Sequence, residues 1–219
     1  MFGFSLFVSF VSARIDAISS DTAFSLVWGI FNTLVVMFAV LWYAFRKFGM
    51  HIFSLLKKPP GVFLKGFYVY AIFFPGLLAV TALSFAFFKI FGLNPVPQQV
   101  MSLYLKTDSF YLLFLLFFSS CIAAPFAEEV IFRGVIYPAL KERFPVPAAV
   151  LLSSAIFALM HNEAFVFAGL FAFGILLAYL FEKHQNLWLP ISVHFFNNLF
   201  ANAAVFIIKY TDVIKTLEG

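Results

Sequence analysis

The stretch of residues 110–140, FYLLFLLFFSSCIAAPFAEEVIFRGVIYPAL, decides the fold class of this chain. At about 1.5 Å per residue, a helix over this whole stretch is longer than the roughly 30 Å thickness of a bilayer core. Because Pro125 lacks a backbone N–H, we expect the helix to bend or divide there. The second half carries Glu128, Glu129 and Arg133, and charged groups at membrane depth are predicted to be paired or functional.

The rest of the chain has the composition of a membrane protein. Of its 219 residues, 63% are hydrophobic and 11% charged, with 35 phenylalanines, which excludes an ordinary soluble domain. The predicted fold class is therefore all-α, a polytopic integral membrane bundle with six to eight transmembrane helices. The higher count requires that residues 1–13 insert and that 110–140 form two spans. The other predicted spans are 22–45, 67–88, 146–160, 164–181 and 190–208.

Charge distribution gives the expected orientation and excludes one class of partner. The loop 46–65 holds the densest group of basic residues and is predicted to be cytoplasmic by the positive-inside rule, so the N-terminus would face outward. A net charge of +4 with short basic stretches does not indicate a nucleic-acid partner; the lipid bilayer is the expected one. We divide the chain into N-terminal helices with the basic loop (1–109), a helical core (110–208) and a short tail (209–219).

The ionisable residues inside the apolar runs all belong to the helical core. Glu129 and Arg133 stand four residues apart in the favourable order for an ion pair on a helix. Glu128 then points away from Arg133, and a carboxylate outside the pair is available as a general base. The alternative is an ion network that only locks two helices together.

Two histidines add further polar chemistry to this core. His161 follows the run 146–160, and on its own it reads as an interfacial histidine. His194 lies well inside its run and is followed at helical spacing by Asn198 and Asn202, a stripe that commonly joins helices. Combined with the Glu128 carboxylate, the imidazoles and amides form a set able to activate water and stabilise an oxyanion.

Three short motifs carry a resemblance to a known family. They read EExxxR at 128–133, FxxxH at 157–161 and HxxxN at 194–198, in this order and each on an apolar segment. The chain resembles the CPBP or Abi family, which includes the type II CaaX prenyl proteases and the bacteriocin-processing proteases of membranes. The resemblance covers about residues 110–208.

The resemblance implies a helical intramembrane protease with a water-filled cavity open to the cytosol. In this interpretation Glu128 activates the attacking water with help from His161, while His194 and Asn198 bind the oxyanion. The second glutamate and the arginine of the first motif orient the site. The implied site residues are Glu128, Glu129, Arg133, His161, His194 and Asn198.

Metal dependence stays open at this stage. The family is commonly called a metalloprotease family, and the resemblance would make Glu128, His161 and His194 the ligands of a zinc ion. No HExxH pair on one helix is present, however. We favour water activation without a tightly bound metal.

The resemblance also implies a substrate class and a location. The expected substrate is a membrane-associated or leadered protein or peptide, including CaaX-type prenylated proteins. A small, phenylalanine-rich chain with short loops looks like a bacterial member, placed in the cytoplasmic membrane as a multi-pass protein. Two alternatives are a catalytically silent scaffold or bacteriocin immunity protein, and an ion- or proton-coupled transporter.

Overall fold

The computed structural model describes residues 54–93 and 109–211, with isolated positions between 28 and 46 and between 101 and 107. The elements found in this part of the chain are helices, without a strand, so the predicted all-helical class is confirmed. The predicted insertion of 1–13 lies outside the described residues. Of the predicted span 22–45 only isolated positions are described, and these are helical.

Five helices make up the described bundle, and four of them are long and apolar enough to cross a membrane. These four confirm a helical membrane bundle. α3 has the predicted bounds, but its 15 residues reach only about 22 Å, short of a bilayer core of about 30 Å. The helices are α1 (Val62–Ile90), α2 (Phe110–Lys141), α3 (Val146–Met160), α4 (Ala164–His184) and α5 (Trp188–Tyr210).

Pro125 does not divide α2, which runs unbroken through it. Directly before the proline, the backbone widens into a π-helical segment, Ser119–Ala123, and the Ala124 N–H donates to the Ser119 carbonyl. A second π segment, Phe132–Ile136, lies further along the helix. In a π turn each carbonyl faces the N–H five residues further along the chain instead of four. The helix thereby accommodates the missing N–H of Pro125 without ending.

Small residues let the helices approach closely. A Cβ at Gly66 of α1 would lie 2.7 Å from the Ser192 Cβ of α5, and one at Gly174 of α4 would lie 3.0 Å from the Ser154 Cβ of α3. Lipid tails are as apolar as the helix surfaces, so no hydrophobic force drives helices together in a membrane. They associate instead through tight packing of this kind. α4 therefore packs closely against α3, and α5 against α1.

The connection between α4 and α5 is fixed to the segment that precedes α1. The Asn186 amide donates to the Lys57 carbonyl at 2.9 Å, and the Trp188 indole N–H donates to the Leu56 carbonyl at 2.6 Å. These bonds bring the start of α1, the end of α4 and the start of α5 to one end of the bundle. We call this the basic end, and its lysines are Lys57, Lys58, Lys65 and Lys183.

Candidate active site

A buried ion pair forms the base of the site. Arg133 Nη1 donates to Glu129 Oε1 at 3.0 Å, and the side chains are 1% and 0% exposed. The pair is the one predicted from their spacing. Arg133 Nη2 also donates to the Gly174 carbonyl of α4 at 3.0 Å. Since a guanidinium holds several donors in a fixed plane, Arg133 ties α2 to α4 and fixes where Glu129 points.

His194 reaches this pair from α5. Its Nδ1 lies 2.8 Å from Glu129 Oε1, the same oxygen that accepts from Arg133. A carboxylate only accepts, so Nδ1 carries the hydrogen and Nε2 of a neutral ring is bare. Nε2 faces Glu128 Oε2 at 3.8 Å, too far for a hydrogen bond. Glu129 therefore fixes both the ring orientation and the tautomer of His194.

Glu128 differs from its neighbour in access to solvent. Its side chain is 28% exposed, whereas that of Glu129 is fully buried. Glu128 Oε2 has no hydrogen-bond partner. It stands outside the ion pair with Arg133, as the spacing of the motif predicts. Of the two carboxylates near His194, Glu128 is thus the one whose side chain reaches solvent.

His161 joins the site through an aromatic neighbour. At the end of α3 its Nδ1 lies 2.9 Å from the Phe157 carbonyl, which can only accept, so Nε2 of the neutral ring is an acceptor. The Phe157 ring centroid lies 4.9 Å from that of His161 and 5.9 Å from that of His194. Glu128 and Glu129 both lie close to His194. His161 is linked to this group through Phe157, whose ring contacts both histidines.

Asn198, predicted to bind the oxyanion, donates through Nδ2 to the Ser120 carbonyl at 2.8 Å. Ser120 lies in the π segment, where the carbonyl of residue 120 faces residue 125, and Pro125 has no N–H to give. The sequence did not predict Ser120 as part of the site. Its hydroxyl also lies 3.2 Å from Asn202 Oδ1, so the polar stripe of α5 is attached to α2 at this point.

Aromatic rings surround the charges, another feature that the motifs did not predict. Phe157 lies 4.8 Å from the Arg133 guanidinium carbon, in a cation–π contact. The Phe173 ring packs edge-on against His194 at 5.3 Å. Such walls exclude water from the ion pair and strengthen the interactions inside.

Along α5, His194 lies nearer to the basic end than to the opposite end of the bundle. His194 follows the first residue of α5, Trp188, by six positions, a rise of about 9 Å. Tyr210, the last residue of α5, is about 24 Å further along.

The arrangement does not fit a three-ligand metal centre. Within the part of the chain that the structure describes, no three His, Cys, Asp or Glu side chains converge on a common point for an ion. The implied ligands Glu128, His161 and His194 are all described and do not form such a group. We therefore derive no step through zinc.

An all-helical membrane protein with a glutamate–histidine site held among its spanning helices is the class that these observations define. Residues 108–200 match the sequence model of the family described as Type II CAAX prenyl endopeptidase Rce1-like. Over this region, which is less than half of the chain, the protein is similar to the family that its three motifs indicate.

One relative with a curated description is similar to about half of the chain. It is "Putative membrane peptidase YdiL" of Bacillus subtilis (strain 168), 29% identical over 113 residues. The match covers 52% of this chain and 45% of the relative, so the chain spans about half the length of the relative. No solved structure matches the chain significantly.

Proposed function

We propose that this protein is an intramembrane endopeptidase that hydrolyses a peptide bond with water activated by Glu128. The observation that carries the proposal is the contrast between the two glutamates of the first motif. Glu129 is fully buried and its Oε1 is bonded to both Arg133 and His194, whereas the Glu128 side chain is 28% exposed and forms neither bond. The family match over residues 108–200 supports it.

In the proposed reaction, Glu128 takes a proton from a water molecule as the water oxygen bonds to the substrate carbonyl carbon. The peptide C–N bond then breaks, and the proton held by Glu128 passes to the leaving amine. This is general acid–base catalysis by one carboxylate, with bonds and protons balanced. His161 offers a bare Nε2 that accepts the second hydrogen of that water and orients it.

We assign the developing oxyanion to the side of the site formed by α5. Asn198 Nδ2 has two hydrogens, of which one is used on the Ser120 carbonyl, so the other remains a donor. His194 Nε2 becomes a donor once the ring is protonated, and the Glu129 carboxylate beside Nδ1 balances the charge of that form. Glu129 and Arg133 act as positioning residues for this side of the site.

The proposed substrate is a membrane-associated or leadered protein or peptide, with CaaX-type prenylated proteins as one case. His194 lies nearer to the basic end along α5, which favours a chain that enters there, and the Phe157 and Phe173 rings beside His194 favour apolar side chains. The proposed location is a bacterial cytoplasmic membrane, in which the basic end faces the cytoplasm.

The test compares peptide termini in the membrane proteome of cells that express wild type, Glu128→Gln or Glu142→Gln at equal levels. Glu142 lies just beyond the end of α2 and serves as a matched control for loss of one carboxylate. New termini with wild type and Glu142→Gln, but not with Glu128→Gln, are expected.

Two other outcomes would favour the alternative functions. If Glu128→Gln fully restores the phenotype of a null strain, the protein acts as a scaffold or immunity protein. If the termini are identical in all strains and Glu128→Gln still fails to restore that phenotype, the Glu128–His194 contact serves proton or ion transport instead.

A further inference from the structure

The basic end carries positive charge that no carboxylate among the described residues neutralises. The side chains of Lys57, Lys58, Lys65 and Lys183 are exposed. No carboxylate among the described residues forms an ion pair with them. Lys141, on the end of α2, behaves differently because its ammonium lies 2.7 Å from Glu182. The unpaired cations therefore form a separate group on α1, its preceding segment and α4.

These cations meet at one corner of the bundle. The Lys58 ammonium lies 5.0 Å from the centroid of the Phe63 ring and 5.6 Å from that of the Trp188 ring. Through these two contacts, Lys58 joins the start of α1 to the start of α5. Lys65, in the first turn of α1, and Lys183, at the end of α4, are both close enough to His184 to interact with it electrostatically. Two helices, α1 and α4, and the segment before α1 thus contribute cations to one surface.

The depth of this corner in the membrane indicates which kind of anion it binds. Trp188 and the lysines stand where apolar helices end, and tryptophan and lysine in this position mark the interface between hydrocarbon and headgroups. Basic pockets between transmembrane helices on the cytoplasmic side bind phosphate headgroups of acidic lipids. An acidic protein partner would also pair with these lysines, but its binding would not require the Phe63 and Trp188 rings at the depth of the lipid headgroups.

We propose that the basic end binds the phosphate headgroup of an anionic phospholipid. Lys58, held over the Phe63 and Trp188 rings, and Lys65 contact the phosphate, while the acyl chains lie along the exposed apolar face of α1. That face includes Leu64 and Tyr68, which are 60% and 58% exposed. The lipid would thereby sit at the basic end, in a role independent of the peptidase reaction.

The test measures lipid retention by the purified full chain with native mass spectrometry. Phosphatidylglycerol and phosphatidylcholine with identical acyl chains are the probes. Wild type is expected to retain phosphatidylglycerol preferentially, and Lys58→Gln or Lys65→Gln each to lower that preference about fivefold. Lys89→Gln removes one exposed charge at the other end of α1 and should leave the preference unchanged.

A second measurement guards against misfolded variants. In phosphatidylcholine nanodiscs all four proteins should have the same Tm. Phosphatidylglycerol should raise the Tm of wild type and Lys89→Gln more than that of Lys58→Gln or Lys65→Gln.

Several outcomes would overturn the proposal. Equal retention of the two lipids would do so, as would an equal loss in Lys89→Gln. Displacement of phosphatidylglycerol by sn-glycerol 3-phosphate at similar concentration would assign the corner to a soluble phosphate compound. Stronger binding of a hexaglutamate peptide than of the lipid would assign it to an acidic protein segment.

Discussion

Asn198 donates its side-chain amide to the Ser120 carbonyl at 2.8 Å and thereby supplies the hydrogen bond that Pro125 cannot. The π segment before the proline turns this carbonyl towards a residue without an N–H. In a membrane no water is available to satisfy such a group, so a neighbouring helix has to do it. The same asparagine is thus both a candidate oxyanion donor and a joint between α2 and α5.

The first prediction separates these two roles of Asn198. Asn198→Ala should lower the free energy of unfolding by about 1 kcal/mol, because the Ser120 carbonyl loses its donor. In a Pro125→Ala background an N–H is restored, and the same substitution should cost clearly less. Reversible unfolding in mixed micelles gives the four free energies of the cycle. Equal costs in the two backgrounds would show that the proline does not create the need for the bond.

The second prediction concerns the two adjacent glutamates. Glu128→Gln should lower peptidase activity by a factor of about 10² to 10⁴, since it removes the general base. Its stability should hardly change, because Glu128 Oε2 has no hydrogen-bond partner to lose. Glu129→Gln should instead destabilise the fold by leaving the buried Arg133 without its counter-charge. Thermal unfolding and cleavage rates of both variants test this, and loss of stability in Glu128→Gln would contradict it.

The third prediction compares a buried with an exposed ion pair. Arg133→Met should lower the free energy of unfolding by about 3 kcal/mol or more, since it strands Glu129 and releases the Gly174 carbonyl. Lys141→Met, which breaks the partly exposed pair with Glu182, should cost about 1 kcal/mol or less. Unfolding of both variants under one set of conditions gives the comparison. A similar cost for the two would mean that Arg133 is not the anchor of the site.

Sequence patterns predicted those features that depend on spacing along a single helix. The bounds of α3 and the pairing of Glu129 with Arg133 follow from apolar run length and i, i+4 geometry, and the structure has both. The acceptors Ser120 and Gly174 were not predicted. They act through backbone carbonyls, which every residue has, so no side-chain signal distinguishes them. Their role arises only when a second helix brings a donor.

The helix around Pro125 shows a second limit of prediction from the sequence. A proline in a long apolar run predicts a break, because the ring removes a donor and clashes with the preceding turn. Whether the chain breaks or widens into a π turn depends on what satisfies the freed carbonyl. Here Asn198 on α5 does so, and α2 continues. The outcome was therefore decided by tertiary structure and not by the local sequence.

The last prediction tests the close packing of α1 against α5 with two glycines of one helix. Gly66→Ala should lower the free energy of unfolding by about 1 to 3 kcal/mol, because the new methyl group overlaps the Ser192 side chain. Gly76→Ala, in the same helix, has nothing within 4 Å of the added Cβ. It should leave stability unchanged or raise it by roughly 0.5 to 1 kcal/mol, since alanine favours the helix. Ser192→Gly should restore the stability of Gly66→Ala, and a failure of that rescue would show that the two helices do not meet at these residues.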